Sequence, residues 1–118
     1  MQRIVAAFFN SKRALGRAFQ SESAVRQELI LLAVSLPLSV LIAEETWKRV
    51  ALVSVILVVL AVELLNTAIE KLCDHLNPAQ HDTIGYVKDL GSAAVLMALL
   101  LAGLVWLTAL WQWLDAVI

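Results

Sequence analysis

Residues 50–74 read VALVSVILVVLAVELLNTAIEKLCD, and that stretch decides the fold. Val50–Val62 carries no charge over roughly 13 residues, short of the roughly 20 that a helix needs to cross a bilayer. At about 1.5 Å per residue, a crossing helix must therefore continue through Glu63 and Asn66 towards Glu70. With Glu63 set at zero on a helical wheel, Asn66, Glu70 and Asp74 all fall on its side, in a stripe about 80° wide over three turns. Asp74 reads equally well as an ordinary solvated helix end, and Glu70 partly so. Glu63 does not, because it follows a charge-free run and lies where the helix is still in the membrane or at its boundary. An ionisable group there is a functional candidate by default.

The rest of the chain fits a membrane setting. Its 118 residues are 61% hydrophobic, against roughly 45–50% for soluble domains, and only 16% are charged. The charges are segregated: Leu29–Ala43, Val50–Val62 and Ala93–Trp111 have none. A bilayer imposes such segregation, since a lone charge in hydrocarbon costs about 2.5–3.5 kcal/mol or more. Cys73, the single cysteine, rules out an intrachain disulfide framework, and no cysteine–histidine metal spacing is present. The N-terminus has no signal-peptide pattern, so the spans are expected to act as their own insertion signals.

We expect an all-α membrane protein, a single membrane domain over residues 1–118. Residues 3–20 form the first element, with Ile4, Val5, Phe8, Leu15 and Phe19 on one side of a helix and Arg3, Lys12, Arg13 and Arg17 largely elsewhere. That is an amphipathic helix suited to the headgroup region, although a solvated helix on a soluble domain would share the pattern. Three spans follow at 24–43, 48–70 and 92–113. The first carries Pro37 mid-span, and Trp106, Trp111 and Trp113 anchor the far end of the third. The N-terminal segment holds five lysines and arginines (Arg3, Lys12, Arg13, Arg17, Arg26), and the second loop holds Lys71 and Lys88. By the positive-inside rule the N-terminus and that loop are cytoplasmic.

All three spans thus bring charged groups to one interface. Glu22, Arg26 and Glu28 open the first, Glu63, Asn66, Glu70 and Asp74 close the second, and Lys88-Asp89 opens the third. Glu22 and Arg26, at i and i+4, could simply pair. Lys88 could answer Asp89 or Glu70, or meet a phosphate. Stacked carboxylates beside an amide suit Mg²⁺, which prefers oxygen ligands and borrows others from phosphates. A carboxylate at a semi-apolar boundary also makes a better general base than an exposed one. Glu63, the deepest, is then the base and Glu70, nearer water, the metal ligand. No Walker A loop, dinucleotide turn or protein-kinase signature is present, so nothing in these residues by themselves specifies ATP.

The motif Glu63-Leu-Leu-Asn66-Thr-Ala-Ile-Glu70 with Asp74, and Lys88-Asp89-Leu-Gly-Ser-Ala-Ala-Val95, resemble the paired motifs of the prokaryotic diacylglycerol kinase family. Glu22…Arg26-Gln-Glu28 is similar to its N-terminal element, and the Gly-Ser-Ala-Ala-Val form resembles the Gram-negative branch. The resemblance covers nearly the whole chain. It implies a homotrimer in the bacterial inner membrane, with composite active sites on the cytoplasmic side, that transfers the γ-phosphate of MgATP to diacylglycerol to give phosphatidic acid. It implies Glu63 as general base, Glu22 and Glu70 as ligands of the metal carried by ATP, and Lys88, Asp89, His81 and Asn10 at the nucleotide. Arg3, Ser92 and Glu63 itself match positions at the lipid. No nucleic-acid partner is implied. Undecaprenol kinase is the alternative within the lipid kinases. A small transporter using Glu63 as proton site would want a polar path to both faces, whereas the polar residues here gather on one. A non-catalytic assembly subunit leaves the carboxylate stripe unexplained.

Overall fold

A computed structural model describes residues 1–76 and 82–118. The described residues form four helices: α1 (Gln2–Ser21), α2 (Ser23–Ile42), α3 (Thr46–His75) and α4 (Asp82–Val117). The all-α expectation is met. α2, α3 and α4 are each long and apolar enough to cross a membrane. The helices outrun the expected crossings at the polar end, with α3 extending to His75 and α4 beginning at Asp82. At about 1.5 Å per residue, 30 residues of α3 exceed a hydrocarbon core of about 30 Å, so this helix projects past it.

α1 has no buried residue, and its apolar side chains, among them Ile4, Phe8 and Phe9, remain exposed, as an interfacial helix requires. A single extended residue, Glu22 (φ −115°, ψ 111°), separates α1 from α2. Arg26 secures this corner. Its Nη1 donates to the carbonyls of Phe19 (3.1 Å) and Gln20 (3.4 Å), oxygens that the last turn of α1 leaves without helical partners. The expected i,i+4 pairing of Arg26 with Glu22 is not what forms, because the guanidinium is engaged behind it.

α3 is the central helix and packs on both α4 and α2. The face of α4 turned to it is built of small residues, with Gly91, Ala98, Ala102 and Ala109 all buried. Helices in lipid gain little from excluding apolar surface from water, so close backbone approach at small residues supplies the packing instead. Val55, Ile56 and Val59 fill the middle layer against Ala98 and Ala102. At the end remote from the acids, Leu52 packs with Ile42, Ala43 and Ala109. There Trp106 Nε1 donates to the Leu52 carbonyl at 3.0 Å. Arg49 donates to the carbonyls of Ala43 (2.8 Å) and Val40 (3.2 Å), which end α2. Pro37 is accommodated within α2, where Ser35 and Ser39 bond back to the Leu32 and Leu36 carbonyls. Most large apolar side chains elsewhere on α4, including Leu100, Leu104 and Leu107, point outward, the arrangement a lipid environment favours.

Candidate functional site

The second half of α3 carries Glu63 and Asn66 into its contacts with α2 and α4, where they are only 8% and 7% exposed. Asn66 is held on both sides. Its Nδ2 donates to Glu70 Oε1 at 3.2 Å, one turn further along. Its Oδ1 faces Gly91 of α4, where a Cβ would collide with that oxygen and stand 3.2 Å from Cγ. Glycine at 91 thus lets α4 approach closely enough to fix the amide that orients Glu70. The sequence places Gly91 in the Lys88–Val95 motif, yet only the tertiary fold shows what its missing side chain does.

The α1–α2 corner and α2 complete the acidic group. The negative charges of Glu70 and Glu22 both act on Glu63, and that of Glu63 acts on Glu28. Glu22, Glu28, Glu63 and Glu70 therefore share one electrostatic neighbourhood. Glu28 is half-buried and has a closer part in the site than its place at the start of the first span suggested. Its Oε2 and Asn66 Oδ1 are buried without a hydrogen-bond partner among the described residues. Buried polar atoms in that condition are uncommon and mark a place for an incoming donor or ion.

The cations lie at the rim. Lys71 Nζ stands 2.7 Å from Glu22 Oε1. Lys88 Nζ meets Asp74 Oδ1 at 2.8 Å, tying the last turn of α3 to the start of α4. The direct partner of Lys88 is therefore Asp74, and Glu70 acts on it only through its charge. Lys88 and Asp74 both lie beyond the crossing segments. The hydrogen bond and charge of Lys88 hold the Asp74 carboxyl below the usual range, and Asp74 in turn pushes the Lys88 ammonium up. Asp74 thus acts as a strut, with its carboxylate already occupied.

The remaining expected residues are more peripheral. Arg3 and Asn10 lie on the exposed α1, where Asn10 Oδ1 accepts from Arg13 Nη2 at 2.5 Å. Asp89 and Ser92 are exposed on α4. No hydrogen bond or ion pair joins these four to the acidic group among the described residues. His81 lies outside the described residues. Sequence reasoning used Lys71 only for orientation and missed its contact with Glu22; a lysine one residue after a site acid was the available signal.

No cluster of three or more histidine, cysteine or acidic side chains is preformed for a metal among the described residues. Carboxylates from two helices, in a neighbourhood with excess negative charge, nevertheless fit an ion such as Mg²⁺, which uses one or two protein carboxylates and completes its shell with phosphate and water.

Comparison with known proteins gives the family of the chain. The chain is similar to diacylglycerol kinase of Haemophilus influenzae, 38% identical over 96 residues that cover 81% of each protein. It is 36% identical over 110 residues to diacylglycerol kinase of Escherichia coli K12, covering 93% of this chain and 90% of the relative. The same identity and length relate it to diacylglycerol kinase of Pseudomonas aeruginosa, covering 93% and 89%. The profile of prokaryotic diacylglycerol kinases matches residues 10–110, a stretch that includes every acid of the site, and the chain belongs to that family.

Proposed function

We propose that the protein is an ATP-dependent diacylglycerol kinase of the bacterial inner membrane, with its active site at the cytoplasmic ends of the three spans. The observation that carries this reading is the near-complete burial of Glu63 beside Asn66, at the level where charge-free helix gives way to polar sequence. A lipid hydroxyl reaches that level from the membrane, and a nucleotide reaches it from water.

Glu63 accepts the proton of the lipid hydroxyl as its oxygen attacks the γ-phosphorus. The new O–P bond forms as the bond from the γ-phosphorus to the bridging oxygen breaks, and ADP carries that oxygen away. Phosphatidic acid is the other product. Glu70, oriented by Asn66, and Glu22, from the α1–α2 corner, would hold the magnesium ion that accompanies ATP. That ion supplies neutralisation of charge on the phosphates. Lys88, Asp89, Asn10 and His81 are assigned to the nucleotide, and Arg3 and Ser92 to the lipid headgroup region. The burial of Glu63 keeps bulk water away from the base, so the lipid hydroxyl is the competing nucleophile. One face of the acidic group is left open by only three spans, which is consistent with a homotrimer whose copies share sites.

Purified protein offered diacylglycerol and undecaprenol together, with labelled ATP, tests the assignment. Label is expected in phosphatidic acid, with transfer dependent on Mg²⁺. Preferential labelling of undecaprenol would overturn the substrate. Glu63→Gln should abolish transfer while insertion and assembly persist, and robust turnover by that variant would overturn the base.

A further inference from the structure

Among the described residues, Lys71 pairs with Glu22, an acid proposed to hold the metal. Lys71 leaves from the outer side of α3, one residue after Glu70, and reaches Glu22 at the corner between α1 and α2 at 2.7 Å. The lysine side chain is 65% exposed and the glutamate 24%. The ammonium is exposed but the Glu22 oxygen it meets is buried, so Lys71 leaves at little cost only when another cation takes its place. The pair sits in an open groove of about 620 Å³ between α1 and α3, whose lining includes Arg17, Ser21, Glu22, Thr67, Lys71 and His75. Glu22 is the sole acid there, beside two cations and a histidine. A groove with that lining suits a polyanion once its carboxylate is neutralised by something other than Lys71.

We propose that Lys71 is a placeholder for the divalent ion: it neutralises Glu22 while nucleotide is absent, and when the metal takes Glu22 its ammonium turns to the polyphosphate in the α1–α3 groove. This rests on the assignment of Glu22 as a ligand of the MgATP metal. Lys71 then has opposite effects on the two ligands. It competes with the metal for Glu22 and attracts the phosphates, with Arg17 on the facing helix beside it. The exchange keeps Glu22 compensated at each stage, which matters in a neighbourhood that already crowds Glu28, Glu63 and Glu70 together. A purely structural tie between α3 and the corner would give neither effect.

Titration of the nucleotide-free protein with Mn²⁺, followed by the electron paramagnetic resonance of the free ion, separates these cases. Lys71→Met should tighten Mn²⁺ binding by about two- to five-fold, the range that loss of an exposed ion pair implies. It should also raise the KM for ATP with little change in kcat, and Lys71→Arg should restore both values towards wild type. Unchanged or weaker Mn²⁺ binding by Lys71→Met would overturn the exchange, as would an unchanged KM for ATP. Glu22→Gln in the same titration keeps the underlying assignment separate. Weaker Mn²⁺ binding by that variant supports Glu22 as a ligand whatever Lys71 does, and unchanged binding overturns the ligand assignment and the exchange together.

Discussion

Gly91→Ala is a small perturbation that reaches the site without replacing a polar side chain. The added Cβ would collide with Asn66 Oδ1 and lie 3.2 Å from Asn66 Cγ, closer than nearly all real contacts of that kind. Both atoms belong to one short side chain on the opposing helix, so relief requires either rotation of Asn66 or separation of α4 from α3. Rotation removes the 3.2 Å bond from Nδ2 to Glu70. Separation loosens the alanine-lined seam that continues through Ala98 and Ala102. Overpacking of this kind costs about 1–3 kcal/mol. Displacement of a positioned group by about 1 Å can lower turnover about a hundredfold. We therefore expect Gly91→Ala to unfold at lower temperature in detergent, to turn over about ten- to a hundredfold more slowly, and to need more Mg²⁺. Adding Asn66→Ala should recover part of the stability but none of the activity, because the clash disappears while Glu70 stays unheld. Contacting residues show such non-additivity at about 0.5–3 kcal/mol. Wild-type turnover and melting temperature in Gly91→Ala would refute the reasoning, and so would strict additivity in the double variant.

Two further outcomes follow from the geometry. Glu70→Gln should raise the Mg²⁺ concentration needed for half-maximal transfer several-fold without preventing assembly, and an unchanged metal requirement in the kinase assay would remove Glu70 as a ligand. The Asp74–Lys88 strut gives a pH signature. Unfolded Asp74 titrates near about 3.9 and folded Asp74 below that, so its stabilisation is complete above about pH 5 and is lost as pH falls through the folded value. Lys88, raised above about 10.4, keeps its part until pH climbs through that higher value. The melting-temperature gap between wild type and Asp74→Asn should thus be flat from about pH 5 to 9 and close in stronger acid. A gap that stayed undiminished in strong acid would contradict the pairing.

Helical phase and charge segregation carry the sequence a long way. The charge-free runs locate three spans, and the phase of Glu63, Asn66 and Glu70 already puts the proposed base, the amide and the proposed ligand on one side of one helix. Those are local properties, set by 1.5 Å of rise and 100° of turn per residue. What the sequence does not display is which faces meet. The contacts of Asn66 with Gly91, Lys71 with Glu22, and Lys88 with Asp74 join different helices, and their partners are chosen by packing. The Arg26 side chain shows the limit of local rules. At i+4 from Glu22 it looks like that residue's partner, but a one-residue break in the helix frees carbonyls at Phe19 and Gln20, and the guanidinium turns to them. Glu28 is similar: nothing in its spacing sets it apart from Arg26, yet α2 brings it close enough for its charge and that of Glu63 to interact.

The spacing along α3 also supports the proposal that two carboxylates of one helix take different tasks. Glu63 and Glu70 are seven residues apart, about 10 Å along the axis. Oxygen ligands of one Mg²⁺ lie about 2.1 Å from it, so that separation of their backbones works against shared ligation of a single ion by these two acids. It leaves room between them for the group being transferred, with Asn66 at the intermediate level. On the proposed assignment the deeper acid would reach a hydroxyl that cannot leave the membrane, and the shallower one would serve a metal and nucleotide that cannot enter it. Shifting either acid one turn towards the other would halve that separation to about 5 Å and blur that division. The position of the stripe along the helix, and not the carboxylates alone, therefore suits the site to phosphoryl transfer across a membrane surface.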